Sequence, residues 1–397
     1  MKILIITPGY LAVPAVNGGA VENLVDIIIK ENEKLKKAEF TVIGVNDGID
    51  IDVTSFKHTN YLFVKNASKI FKIKRAVLAL INKFSKHYIG NAYIREVTKI
   101  LKKDNSTYDA VIIENNPLYI LNVKKYFKCP VYLHLHNDYL NNKTKLSEKV
   151  YSLYDGILTV SNYIGNRVKT INLEDKKTKT LYNGIELENF DISLSKEERK
   201  KIRAKYSIKD NDFAFLYTGR LIPEKGVKEM IQSFNNACKN VKNIKLLIVG
   251  SSSYKNGTKN QYISELQTLV ALNKENIIFT GYVDYNDIPS IYKACDAQIV
   301  PSIWGEPLAT TVIEGMASSL PLIVNNVGGI PEMVGENGEA AIITNTVSMI
   351  EDIEKSIIEF TENEKLCTIL SKNGYQKSKK FYKTIFYENY IKMIRGE

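Results

Sequence analysis

Glu306-Pro-Leu-Ala-Thr-Thr-Val-Ile-Glu314-Gly-Met-Ala317 sets two carboxylates on either side of what reads as a loop-to-helix junction. Pro307 suits a first helical turn, and Val312, Ile313, Met316 and Ala317 supply one apolar helix face. Glu306 is then expected just outside the helix and Glu314 about two turns in. Between them, the backbone N–H groups of Leu308, Ala309 and Thr310 are the unpaired donors of a helix N-terminus, which favours an anion. A carboxylate on each side of an anion site suits a ligand that is both phosphate and polyol, and nucleotide sugars are of that kind.

Working outward, short apolar runs recur on both sides, separated by helical patterns, as in parallel sheets with crossover helices. The first half offers residues 2–7, 40–45, 110–114, 131–136 and 156–161, and the second half 213–219, 245–250, 277–281, 297–301 and 321–325. Helical periodicity covers 20–37 and 225–239, and a Tyr-, Phe- and Lys-rich helix is expected over 375–394. A chain of 397 residues exceeds one ordinary core, so two α/β repeats in tandem follow. The polar stretch around Lys196-Glu-Glu-Arg-Lys-Lys201 marks the join, which puts the first domain at 1–190 and the second at 191–374.

Thr218-Gly219-Arg220-Leu-Ile-Pro-Glu-Lys225-Gly226 follows the first strand of the second half. Gly219 permits a tight exit, and Arg220 and Lys225 carry cations to the carboxyl edge where open α/β sheets bind ligands. Arg grips phosphate bidentately and Lys acts as a mobile point charge. Two fixed cations would stabilise a departing nucleoside diphosphate without a metal. Near the start, Asn17-Gly18-Gly19-Ala20 ends a long loop and leads into a helix, where bare backbone approaches a ligand closely. The spacing is not Gly-x-Gly-x-x-Gly, which argues against a nicotinamide or flavin enzyme. His134 and His136 share one face of a strand, with His136 nearer the carboxyl edge and followed by Asn137-Asp138.

The double-Glu motif and the Gly-Arg…Lys-Gly segment together resemble glycosyltransferase family 4, and the likeness runs from the first strand to the last helix. The resemblance implies the GT-B fold: two Rossmann-like α/β/α domains whose parallel sheets face a central cleft, with residues 375–397 crossing back to the first domain. It implies a retaining, metal-independent hexosyltransferase that uses a nucleotide sugar as substrate and no cofactor. Glu306 would hold sugar hydroxyls and Glu314 the ribose. Leu308, Ala309 and Thr310 would face the phosphate, with Arg220 and Lys225 supporting the leaving group. Gly18 and Gly19 would face the donor phosphates, Tyr282 and Val283 after Gly281 the base, and His136 the sugar. Closure of the domains would exclude water. A UDP-sugar is the first expectation for the donor and a glycan or lipid-linked molecule for the acceptor, in bacterial cell-surface glycan synthesis. Two alternatives stay open: a nucleotide-sugar epimerase on the same fold, or a non-catalytic nucleotide-sugar-binding subunit.

The net charge of +10 draws the chain to anionic partners. No zinc-finger spacing or aromatic RNA-binding signature accompanies it, so nucleic acid is not expected. From Lys65 to Lys103 the residues are strongly basic, with Glu96 the single acid. Ile70, Ile73, Val77, Leu80, Phe84 and Tyr88 recur there at helical spacing. The stripe is expected to pack on its own domain, while the charges attract an anionic membrane face. Asp50-Ile-Asp52 lies in a turn and is not expected to hold a metal. Cys129, Cys238, Cys295 and Cys367 are scattered and read as reduced thiols. No apolar run approaches the roughly 18–20 residues that span a bilayer. The opening apolar run is too short for a signal peptide and reads as a buried strand, so the protein is expected in the cytoplasm, peripheral to the inner membrane face.

Overall fold

The computed structural model describes residues 1–16, 18–251, 261–335 and 337–397; Asn17, at the head of the Gly-Gly loop, lies outside them. The chain divides into two compact units, Met1–Gly184 with Lys383–Glu397, and Ile185–Tyr382.

The first unit is built on seven parallel strands: β1 (Lys2–Ile6), β2 (Glu39–Val45), β3 (Thr59–Val64), β4 (Ala110–Glu114), β5 (Val131–Leu135), β6 (Gly156–Thr159) and β7 (Thr178–Thr180). They lie in the order β3-β2-β1-β4-β5-β6-β7. The second unit has six parallel strands: β8 (Phe213–Thr218), β9 (Ile244–Val249), β10 (Ile277–Gly281), β11 (Ala297–Val300), β12 (Leu322–Asn325) and β13 (Ala341–Thr344). Their order is β10-β9-β8-β11-β12-β13. Central strands such as β4 and β11 are buried throughout because helices cover both faces, which is why they read as unbroken apolar runs. β3, β7 and β13 escape the sequence reading. All three are sheet edges, and an edge strand such as Thr178-Lys-Thr180 carries little apolar signal.

Chain order reverses between β1 and β4, and again between β8 and β11. At such a reversal successive crossovers run to opposite sides, opening a crevice at the carboxyl ends of the two strands. Each unit therefore has one preferred place for a ligand.

In the first unit, Leu24, Val25, Ile28 and Ile29 of the Ala20–Leu35 helix share a core with Phe386, Tyr387, Tyr390, Ile391 and Ile394. Those five aromatic and aliphatic side chains come from the Lys383–Arg395 helix, and the Tyr387 hydroxyl donates to Asn32 Oδ1 at 2.6 Å. The continuous 375–394 helix of the sequence reading is in fact two. The Glu364–Ser378 helix ends in a short 3-10 turn, and Tyr382 is extended, bridging to Ile185. Helical periodicity persists across that break because both pieces are amphipathic, so the pattern does not register a single extended residue.

The basic Lys69–Phe84 helix corrects a second expectation. Ile70, Ile73, Val77, Leu80 and Phe84 are exposed, and Tyr88 is half-buried. The side chains that anchor the helix are Phe71 and Leu78, on another face. Spacing predicts that a stripe exists but not what covers it. Among the described residues no helix is long and apolar enough to cross a membrane.

Candidate active site

The second unit gathers most of the residues singled out by sequence at its β8/β11 reversal. β8 ends at Thr218; Gly219, Arg220 and the short Pro223–Lys225 turn follow. β11 leads through Ser302 to Glu306 and then to the Thr310–Ala317 helix. That helix begins later than the sequence suggested. Pro307 lies ahead of it and Ala309 is its N-cap, so Glu314 sits in the second turn rather than two full turns in.

Lys225 Nζ donates to Glu306 Oε1 in a close ion pair, with the carboxylate buried and the lysine half-buried. Ser302 Oγ donates to the same oxygen at 2.8 Å, and Asn325 Nδ2 donates to the Ser302 carbonyl at 2.9 Å. Glu306 is thus oriented from both sides. Gly226 makes the lysine's placement feasible: its φ is +67°, and a Cβ there would lie 1.9 Å from the Pro301 carbonyl oxygen.

Glu314 is buried and accepts a hydrogen bond from the Tyr292 hydroxyl at 2.9 Å. The Tyr292 oxygen is in turn 2.7 Å from Thr218 Oγ1 and accepts from Gln298 Nε2 at 3.2 Å. The end of β8 is therefore tied to the acid through one phenol. Burial pushes the Glu314 carboxyl up to about 7, against the Tyr292 hydrogen bond. Neither Tyr292 nor Gln298 was anticipated; a tyrosine inside a helix carries no sequence signal of its partner.

Arg220 is exposed and makes no ion pair among the described residues. It still belongs to this edge. The buried Tyr217 hydroxyl donates to the Arg220 carbonyl at 2.8 Å. Burial pushes that phenol well up, Tyr262 and Glu306 push it further, and the Arg220 cation pulls it back. Tyr217 thus lies within electrostatic reach of both Arg220 and Glu306.

Three neighbouring strand ends are closed by glycine. The Gly219 N–H donates to the Val249 carbonyl at 3.0 Å and the Gly250 N–H to the Gly281 carbonyl at 3.1 Å. A Cβ on Gly250 would lie 1.8 Å from the Gly219 oxygen. The result is bare backbone along the β8, β9 and β10 ends, followed by exposed Tyr282 and half-buried Val283. Gly250 was legible as a strand terminus but not as part of this edge.

In the first unit the corresponding reversal is flanked by Gly18 and Gly19, which end the loop after β1, and by Glu114 at the end of β4. Gly19, at φ +110°, caps the Ala20–Leu35 helix. His136 lies just past β5 and is buried. Glu114 Oε2 is 2.8 Å from His136 Nε2 and 3.1 Å from His134 Nδ1. Burial alone would raise the Glu114 carboxyl, but the His134 charge and hydrogen bonds from both imidazoles hold it well down. Burial, and then His134, push His136 down against the pull of Glu114. His136 is therefore neutral near pH 7, with its proton on Nε2 toward Glu114. Its Nδ1 is buried and has no hydrogen-bond partner among the described residues.

Glu22, in the first turn after Gly19, is also buried. Burial raises its carboxyl, hydrogen bonds from the Glu22 and Leu11 backbone oppose this, and the Glu114 charge adds to it. Sequence reasoning missed Glu22 because an acid in a first helical turn reads as a dipole partner. It missed Glu114 although a charge closing an apolar strand was a usable signal. Glu114, His134 and His136 offer three ligand atoms within 4.8 Å of one another and could in principle hold a divalent ion. The hydrogen bonds from both imidazoles already occupy that carboxylate. Asp52 accepts from the Thr54 N–H at 2.9 Å in an exposed turn. The four cysteines are free thiols.

Residues 198–377 match the family model described as "Glycosyl transferases group 1". Over 351 residues the chain is 28% identical to spore coat protein SA of Bacillus subtilis, covering 86% of this chain and 85% of that protein. It is 29% identical over 210 residues to the Escherichia coli UDP-Gal:alpha-D-GlcNAc-diphosphoundecaprenol alpha-1,3-galactosyltransferase, about half of each chain (52% and 50%). Among solved structures, HepE of Anabaena in complex with UDP and glucose superposes with a TM-score of 0.73 at 18% identity, over 100% of both chains. At that identity the likeness establishes the GT-B fold alone.

Proposed function

We propose that this chain, whose residues 198–377 match the group 1 glycosyl transferases, moves a hexose or N-acetylhexosamine from a UDP-sugar to a hydroxyl of a lipid-linked or growing cell-surface glycan, with retention of anomeric configuration. The observation that carries this reading is the Lys225–Glu306 pair beside the start of the Thr310–Ala317 helix, with Glu314 held on the far side by Tyr292. One acid is paired with a mobile cation and the other with a phenol. An arriving donor can take sugar-hydroxyl contacts from Glu306 while its diphosphate takes over Lys225.

In the reaction, the bond from the anomeric carbon to the diphosphate oxygen breaks while the acceptor oxygen bonds the same face of that carbon. The acceptor proton passes to the leaving oxygen. Arg220, Lys225 and the first-turn amides near Leu308, Ala309 and Thr310 stabilise the charge that builds there. Glu314, once ionised, accepts from the ribose hydroxyls. Backbone at Gly219 and Gly281 leaves room for the base beside Tyr282 and Val283. No step uses a metal. The reaction would run in the cytoplasm at the inner membrane face. The UDP-linked galactosyltransferase and the UDP complex of HepE support the choice of base.

A screen of UDP- and GDP-sugars with a lipid-linked acceptor, read by mass analysis of the product, tests this. Expected are a UDP-sugar-dependent product, activity retained in EDTA, and a loss of roughly a hundredfold or more in Glu306→Gln without a change in melting temperature. Full activity in Glu306→Gln would overturn the site assignment. Epimerised sugar formed without any acceptor would overturn the reaction.

A further inference from the structure

The Lys69–Phe84 helix turns large apolar side chains toward solvent. Ile70, Ile73, Leu80 and Phe84 are each at least 60% exposed, and Val77 is 50% exposed. Their spacing alternates between three and four residues, so they form one stripe along a helix roughly 24 Å long. The helix is not loose. Ser68 caps it by accepting from the Phe71 N–H at 3.1 Å, Phe71 and Leu78 anchor it, and Lys74 bonds Glu96 of the neighbouring Ala92–Lys103 helix at 2.6 Å.

The same helix carries Lys69, Lys72, Lys74, Arg75 and Lys83 and no acid. Beside the stripe opens a cleft of about 570 Å3, bordered by Ile70 and by Lys65, Lys74, Lys99 and Lys103. Glu96 is its one acid and already pairs with Lys74 and Lys99. Lys65 and Lys103 have no acidic partner among the described residues. A positively charged cleft thus adjoins an exposed apolar ridge.

We propose that this face docks the first unit on a bilayer rich in anionic phospholipid, with the stripe among the acyl chains and the lysines on lipid phosphates. Charge decides among occupants. Two copies of the chain meeting through this face would oppose five cations with five cations. A nucleic acid would satisfy the lysines but leave the apolar ridge in water. An anionic bilayer satisfies both at once. The proposal draws on the functional reading only in that a lipid-linked acceptor gives the docking a purpose.

The test is flotation of the full-length protein with vesicles of phosphatidylcholine alone or with about 30% phosphatidylglycerol, without donor or acceptor. Expected is capture by the anionic vesicles at least tenfold tighter than by neutral ones, weakened by about 0.5 M salt. The double variant Ile73→Glu/Leu80→Glu should lose that capture tenfold or more at unchanged melting temperature. Lys65→Glu/Lys103→Glu, which leaves the stripe intact, should lose the preference for anionic vesicles. Equal capture of wild type and Ile73→Glu/Leu80→Glu overturns the proposal. So does indifference to lipid charge, or a wild-type dimer in sedimentation velocity that the same variant abolishes. Because no substrate is present, vesicle capture without sugar transfer sinks only the functional reading. Transfer to a soluble acceptor without vesicle capture sinks only this one.

Discussion

Lys225 and Glu306 hold each other, and breaking that pair has a measurable cost on both sides. Removing the lysine strands a buried carboxylate whose remaining side-chain donor is Ser302. Lys225→Ala is expected to lower stability by about 1–3 kcal/mol and, on the proposed reaction, to cut kcat roughly a hundredfold as the leaving diphosphate loses a cation. Calorimetry and steady-state kinetics on one preparation check both. Glu314 gives a pH-dependent prediction. Its carboxyl, at about 7 in the fold against 4.5 in the unfolded chain, binds its proton more tightly when native. Its stabilising contribution is therefore fully present below about pH 4.5 and is lost as pH rises through about 7. Glu314→Gln should raise the stability at pH 8 by something on the order of 3 kcal/mol and change little at pH 4. A Tm difference that does not depend on pH would contradict this. On the proposed ribose role of Glu314, nucleotide affinity in wild type should weaken as pH falls below about 7, because a protonated acid cannot accept two ribose hydroxyls.

Among elements, the Pro223–Lys225 turn and the helix after it act as one piece. Gly226 ends the turn in the left-handed region and caps the Val227–Asn240 helix. Met230, Ile231 and Phe234 of that helix pack into the core beneath β8 and β9, so the turn cannot shift independently. Gly226→Ala must push its Cβ away from the Pro301 carbonyl in an unfavourable backbone conformation. Expected is a loss of about 3 kcal/mol or more, together with weaker nucleotide binding as Lys225 moves off Glu306. Thermal melts with and without UDP measure the two effects. Unchanged melting and binding would mean that the loop relaxes freely, against the close approach seen.

For the whole molecule, the last helix matters most. Lys383–Arg395 contributes five buried side chains to the core of the first unit from the far end of the chain. At about 1.5–3 kcal/mol per buried apolar side chain, its removal costs about as much as the roughly 5–15 kcal/mol that holds a typical domain. A chain ending at Tyr382 is expected to lose the melting transition of the first unit and to become protease-sensitive across Met1–Gly184. Residues 185–382 should keep a transition of their own. Differential scanning calorimetry with limited proteolysis distinguishes this from a uniform destabilisation.

Much of this was legible in the residues themselves. Unbroken apolar runs revealed the central strands because those strands are buried on both faces. Strand-to-helix segments carrying Arg220, Lys225, Glu306 and Glu314 made a candidate site legible because charges at fixed offsets beside a helix start stand out in the sequence. Local pattern cannot report contacts between residues distant in the chain. Only the tertiary structure decided that Lys225 meets Glu306, that Tyr292 ties Glu314 to Thr218, and that Glu114 holds both histidines. It alone decided which face of the Lys69–Phe84 helix is covered, since a repeating apolar position is written identically whether a core or solvent lies against it.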